Sequence, residues 1–225
     1  MIWYPRRVGN LRRGQRLRFI ANVLIIAGLL LLLSPAGWIA YTALAVAPAQ
    51  TAALAAWDAR PAPVAPISPS TSPVGAPTAG NPAPAAAAAA GNPAMVLTIP
   101  RLGLRRAVPL GADSQNLRRY GVGHISWTFL PGGPGVVGIA GHRTTYGAPF
   151  LRLNALRPGD IIHLDYRGRR FTYAVTRSEV VTPDRVDILD GSHAQGIALV
   201  ACTPVYSAAY RLVVLGAPAS VTPEP

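Results

Sequence analysis

The sequence predicts a mainly-β fold, a closed barrel of about eight short strands with one or two short helices, carried behind a transmembrane helix and a disordered linker. Three observations predict it. Residues 94–217 hold a succession of strand-length runs rich in β-branched and aromatic residues, separated by Gly, Pro, Asp and Asn. No charged residue occurs from Phe19 to Ala56. Between these two regions the chain is dominated by Pro, Ala, Ser, Thr and Gly.

The N-terminus, residues 1–18, carries Arg6, Arg7, Arg12, Arg13, Arg16 and Arg18 and no acid. The following apolar run, 19–46, is long enough to cross a bilayer as one helix. Arginines on its N-terminal side place that end in the cytoplasm and the rest of the chain outside, with Trp38 and Tyr41 at the far interface. A cleaved signal peptide competes, since Ala43, Ala45 and Ala47 offer small-residue cleavage sites, but a signal core runs only about 7–15 residues. The reading is a single-pass anchor in the cell membrane, in which Pro35 introduces a kink. The net charge of +12 comes from arginine alone, because the chain has no lysine. Topology and composition account for it, and no nucleic-acid partner is called for.

Residues 47–93 cannot bury enough apolar surface to offset their ordering entropy and read as a tether. In polyproline form, at about 3.1 Å per residue, such a stretch reaches on the order of 100 Å. The folded domain occupies 94–217, followed by a tail, 218–225. Its strand signals are MVLTIP, LRRAVPL, GVVGIAGH, IIHLDY, RRFTYAVTRSEVV, GIALVAC and YRLVVLGA, with DYRGRRFTY forming a hairpin around its glycine. A short helix is expected over 150–156, where Phe150, Leu153 and Leu156 share a face before Pro158 and Gly159.

Chemistry concentrates in ALVACTPVYSAAYRLVVL, from Ala198 to Leu215. Cys202, the only cysteine, closes one apolar run, and Arg211 opens the next, so a thiol and a guanidinium share one rim. A thiolate is a nucleophile for acyl chemistry, and arginine's planar fork of donors stabilises charge on a carbonyl oxygen. Of the four histidines, His142 ends a strand and begins a loop, as a base meeting Cys202 would. His124 is a weaker candidate, and His163 and His193 are weaker again; His163, inside an alternating run, reads as structural. Tyr146, Tyr206 and Tyr210 flank these positions and either line a groove or pack at the rim. Acids form no tight cluster, so neither a metal nor another cofactor is expected, and a single cysteine excludes an internal disulfide.

These residues resemble the sortases, membrane-anchored cysteine transpeptidases of Gram-positive envelopes, and class E among them. The resemblance rests on GHRTTYGAPF (Gly141 to Phe150), VPLG (Val108 to Gly111), GVGH (Gly121 to His124) and an arginine nine residues after the cysteine. It implies a sortase-like barrel with His142, Cys202 and Arg211 as catalytic residues. It implies cleavage of an LPXTG or LAXTG sorting signal between Thr and Gly through a thioacyl enzyme. The acyl group then passes to an amine acceptor such as a peptidoglycan precursor, and the partners are surface proteins with C-terminal sorting signals. Sortases usually carry TLXTC before the nucleophile; here Ala198 and Ala201 replace both threonines. Ala201 is therefore placed, with Tyr146 and Tyr206, among substrate-binding candidates. A noncatalytic sortase-like barrel that binds wall peptides or partner proteins is the alternative. The Ser-His-Gly-Cys type of motif of an L,D-transpeptidase is absent.

Overall fold

The computed structural model describes residues 10–60, 93–189 and 195–225, which fall into two compact units, 1–41 and 42–225. The apolar N-terminal run forms two helices, α1 (Asn10–Leu33) and α2 (Pro35–Asp58), instead of the single helix expected over 19–46. Ser34 makes the break: its hydroxyl donates to the Leu31 carbonyl at 2.6 Å and accepts from the Gly37 N–H at 3.0 Å. Pro35 then starts α2, where its missing N–H costs nothing, so it opens a helix where a kink was expected. Both helices are long and apolar enough to cross a membrane. Leu17, Phe19, Ile20, Leu24, Ile25 and Leu30 of α1 are all more than half exposed.

The C-terminal half of α2 has a different surrounding. Thr42, Val46, Gln50, Ala53 and Trp57, spaced as one helical face, are buried. Residues 47–58, expected in the linker, are therefore helix, because the alanine-rich segment has a surface to bury; 61–92 of that linker lie outside the described residues.

Eight strands follow, β1 (Pro93–Ile99), β2 (Leu104–Pro109), β3 (Val122–His124), β4 (Val136–Gly141), β5 (Ile161–Tyr166), β6 (Arg169–Val181), β7 (Gly196–Thr203) and β8 (Tyr210–Pro223). They form one sheet in the order β2-β1-β5-β6-β8-β7-β4-β3, antiparallel except for the parallel pair β4 and β7. The sheet curls into a nearly closed barrel. Met95, Leu97, Ile139, Ile162, Leu164, Leu199 and Val214 fill its interior at alternate strand positions. Burying each such side chain contributes about 1.5–3 kcal/mol. The β5–β6 hairpin turns on Arg167 (φ 51°) and Gly168 (φ 72°), the left-handed pair a two-residue turn requires.

Three features depart from the sequence reading. Over 150–156 only a 3-10 turn forms, at Leu153–Ala155, although Phe150, Leu153 and Leu156 all enter the core. Burial of those three residues needs an inward loop, and a full helix is not required. Strand β8 continues past Ala217 into the expected tail, pairing Thr222 with Arg170 and Pro223 with Arg169. An additional helix, α3 (Ser114–Tyr120), is capped by Asp113, whose side chain accepts from the Gln115 and Asn116 N–H groups.

The barrel closes weakly between β2 and β3, where Leu110 and His124 form an isolated bridge. The VPLG and GVGH segments meet here: a side chain at Gly123 would strike the Gly111 carbonyl, so only glycine lets the edges approach. Gln50 of α2 crosses the same seam. Its Nε2 donates to the Ala107 carbonyl at 3.0 Å and the Tyr120 carbonyl at 2.7 Å, while its Oε1 accepts from the Ala107 N–H at 2.9 Å. One amide thus pairs an edge strand as a neighbouring strand would. Trp57 donates to Glu224, and Asp58 pairs with both terminal nitrogens of Arg105 at 2.5 and 3.0 Å. Residues 42–58 belong to the barrel's fold.

Replacing Gln50 with leucine strands these buried backbone groups and is expected to cost about 2–4 kcal/mol, since each unsatisfied group costs roughly 1–3 kcal/mol. Urea unfolding of the full chain in detergent, followed by circular dichroism, measures it; a loss under about 0.5 kcal/mol contradicts the seam's role. His124 supplies a second expectation. Its Nε2–H donates to the Phe129 carbonyl at 3.0 Å and lies 3.2 Å from Thr128 Oγ1. Burial holds its imidazole below the ordinary 6.5, with the Phe129 bond opposing. A depressed folded value means the unfolded chain binds the proton first, so stability present above pH 6.5 is lost as pH falls toward the folded value. The thermal midpoint should fall on acidification through that window, less steeply in His124→Gln; a midpoint rising there contradicts it.

Candidate active site

Strand β7 is the axis of the site. On one side it pairs with β8 so that Cys202 faces Arg211 directly. On the other it pairs in parallel with β4, matching Gly138 to Ala198 and Ala140 to Val200. Two residues past the last pair stand His142, just beyond the end of β4 at Gly141, and Cys202, still within β7. Cys202 and Arg211, a directly opposed pair, share one face, and His142 follows β4 at the same end of the adjacent strands β4, β7 and β8. The structure brings together the three residues singled out from the sequence.

The loop after His142 is held tightly. The His142 N–H donates to the Gly121 carbonyl at 2.9 Å, and the Phe150 N–H donates to the His142 carbonyl at 3.0 Å. Phe150 is fully buried against Gly141, where an added Cβ would sit 2.5 Å from the ring. Inside the loop Tyr146 (φ 49°), Gly147 (φ 77°) and Ala148 (φ 42°) are all left-handed, a costly conformation for two of the three. The strained turn lays Tyr146 against the imidazole, ring centroids 4.9 Å apart. Burial pushes the His142 imidazole below its ordinary 6.5, which favours the neutral base at neutral pH.

Cys202 is half-buried with a free thiol. Arg211 donates from Nη1 to the Ala208 and Tyr210 carbonyls at 2.9 and 3.1 Å, which folds it against the β7–β8 loop. Tyr206 in that loop, at φ 66°, and Tyr210 at the start of β8 are exposed. The cysteine-bearing face of β7 continues through Val200 to Ala198, which is buried in a second core cluster with Val136, Val213, Ile188 and Leu189.

Ala201 lies elsewhere. It is 2% exposed in the barrel core with Leu199 and Leu212, on the face opposite Cys202, so its side chain is not placed to touch a substrate. The alternation that puts Cys202 outward puts its neighbour inward. His124 stands at the opposite end of β3 from the site, and His163 bonds Thr172 across the β5–β6 hairpin, both as structural groups. His193 lies outside the described residues. The sequence reading missed Arg143, which is buried directly behind His142 and Cys202; an arginine abutting a candidate histidine was its only signal. No group of three or more metal-ligating side chains occurs among the described residues.

Comparison with known proteins agrees with this fold. A family model described as a sortase domain matches residues 97–219. The curated Sortase SrtE1 of Streptomyces coelicolor is 34% identical over 136 residues, covering 54% of this chain and 39% of that protein. The crystal structure of sortase E1 from Streptomyces coelicolor with a tripeptide in the active site superimposes with a TM-score of 0.54 at 32% identity, over 57% of this chain and 89% of that one. Sortase E from Streptomyces avermitilis gives 0.53 at 31% identity, over 58% and 90%. The chain spans about two fifths of the length of the curated SrtE1 that it matches. With the family model covering more than half of its residues, the chain belongs to the sortase family and is similar to its class E members.

Proposed function

We propose that this protein is a membrane-anchored cysteine transpeptidase that cleaves an LPXTG- or LAXTG-type sorting signal between Thr and Gly and transfers the new acyl end to an amine. The observation that carries the reading is the direct pairing of Cys202 with Arg211 on the face that His142 reaches from β4.

The chemistry follows from those positions. Neutral His142 takes the thiol proton, and Cys202 Sγ adds to the threonine carbonyl carbon. Negative charge gathers on the carbonyl oxygen, where Arg211 presents N–H donors while its Nη1 holds the Ala208 and Tyr210 carbonyls. The C–N bond breaks as the His142 imidazolium protonates the departing glycine nitrogen, leaving a thioester on Cys202. An incoming amine attacks the thioester carbon and gives up its proton to His142; a new amide forms and the thiolate leaves. A cell-wall precursor is the proposed acceptor.

Ala201 bears on the alternative of a noncatalytic barrel. Its side chain fills the core, so the alanine removes nothing from the proposed groove. For the anchor we favour α1 as the single crossing. Its span Gly14–Leu31 extends about 27 Å, close to a hydrocarbon core of about 30 Å with Arg16 and Arg18 at the interface, whereas α2 is committed to the barrel from Thr42 onward.

Full-length protein in detergent, given LAXTG and LPXTG peptides with a glycine-based amine, should release the fragment beginning at Gly and form the Thr-amine ligation product. Cys202→Ala should abolish both products, and Arg211→Ala should lower kcat by about 100-fold or more. A folded protein that cleaves neither peptide, or whose cleavage survives Cys202→Ala, overturns the reading.

A further inference from the structure

The geometry points to Arg143 as a positioning residue that sets the distance between the His142 and Cys202 side chains from behind the sheet. The inference rests on the proposed roles of those two residues. Arg143 follows His142, so its side chain leaves on the opposite face and runs into the protein, where it is 7% exposed. Its Nη1 donates to Thr203 Oγ1 at 2.7 Å and to the Cys202 carbonyl at 3.4 Å; Nη2 donates to Asn154 Oδ1 at 2.9 Å; Nε reaches the Leu151 carbonyl at 3.5 Å. One guanidinium thus ties together the end of β4, the end of β7 and the segment that returns from the histidine loop.

Strand pairing alone does not do this. The recorded β4–β7 register stops at Ala140 and Val200, two residues short of His142 and Cys202. Beyond that point β7 continues to Thr203 paired with β8 alone, β4 ends at Gly141, and Arg143 bridges the two chain segments. Its fork is suited to the task, because the planar donors fix direction as well as distance. Its partners among the described residues, the Leu151 and Cys202 carbonyls, Thr203 Oγ1 and Asn154 Oδ1, are all neutral oxygens, and no carboxylate there pairs with it. A buried cation without a counter-ion costs several kcal/mol to desolvate, whereas an apolar side chain there would cost nothing of the kind. Its positive charge also stands behind the strand end where a substrate oxyanion develops. Thr203 acquires a definite role as the acceptor that completes the clamp.

The test uses full-length protein in detergent with the LAXTG peptide and a glycine-based amine. Arg143→Met should lower kcat about 100-fold, because a displacement near 1 Å at reacting atoms costs that much, while KM stays within about threefold. Arg143→Lys, which retains the charge and part of the reach, should recover about tenfold of the loss. Thr203→Val should lower kcat about fivefold alone but less than about twofold in the Arg143→Met background, the signature of one shared interaction. A folded Arg143→Met with kcat near wild type, a loss confined to KM, or a Thr203→Val effect that multiplies undiminished overturns the inference. If Arg143→Met does not fold, Arg143→Lys and Thr203→Val decide, and an unchanged kcat in both overturns it. Wild-type protein that forms no acyl adduct on Cys202 overturns the site assignment and this inference together; an active wild type with an equally active Arg143→Met overturns this inference alone.

Discussion

The site depends on β7 lying between one parallel and one antiparallel neighbour. A parallel partner brings two strands to an end on the same rim, so β4 delivers His142 where β7 delivers Cys202. An antiparallel partner begins where β7 stops, so β8 delivers Arg211 to that rim after a short loop. The 59 residues between His142 and Cys202 can then vary in their path while the β4–β7 register holds both strand ends at one rim. The same alternation that turns these side chains outward turns Leu199, Ala201 and Leu212 into the core, so packing and chemistry are two faces of one strand set.

Polar side chains hold the places where the sheet cannot hold itself. Gln50 spans the gap between β2 and β3, and Arg143 spans the gap beyond the last β4–β7 pair. Asp165 and Arg170 lock the β5–β6 hairpin through paired bonds of 2.7 and 2.8 Å. Among the described residues no buried side-chain nitrogen or oxygen is left without a partner. Left-handed non-glycine backbone occurs at Tyr146, Ala148 and Tyr206 in the two loops beside the site, and at Arg167 in the β5–β6 turn. Such conformations persist only where the surroundings impose them, here through buried Phe150 and the His142 backbone bonds.

Most of the barrel was legible because alternation marks half-buried strands directly. IIHLDY and RRFTYAVTRSEVV read as strands at the boundaries they occupy, and the glycine after Arg167 marked their turn. What stayed hidden depended on distant surfaces. Residues 47–58 are alanine-rich and nearly uncharged, and nothing local says that Gln50 will meet Ala107 and Tyr120. The strand character of 218–223 comes from pairing with β6, since Pro218 and Pro223 argue against it locally. At the site, His142, Cys202 and Arg211 were readable as reactive types at strand ends. Ala201 was misplaced by reading motif adjacency as spatial adjacency, and Arg143 was missed because its role exists only through Thr203 and Asn154.

The most direct measurement is intact-protein mass spectrometry of the full-length chain mixed with an LAXTG peptide in the absence of added amine. The expected spectrum shows a gain equal to the acyl fragment ending in Thr, mapped to Cys202 by fragmentation and absent after hydroxylamine treatment. A folded chain that shows no adduct, or carries it on a residue other than Cys202, contradicts the assignment of β7's end as the reacting centre.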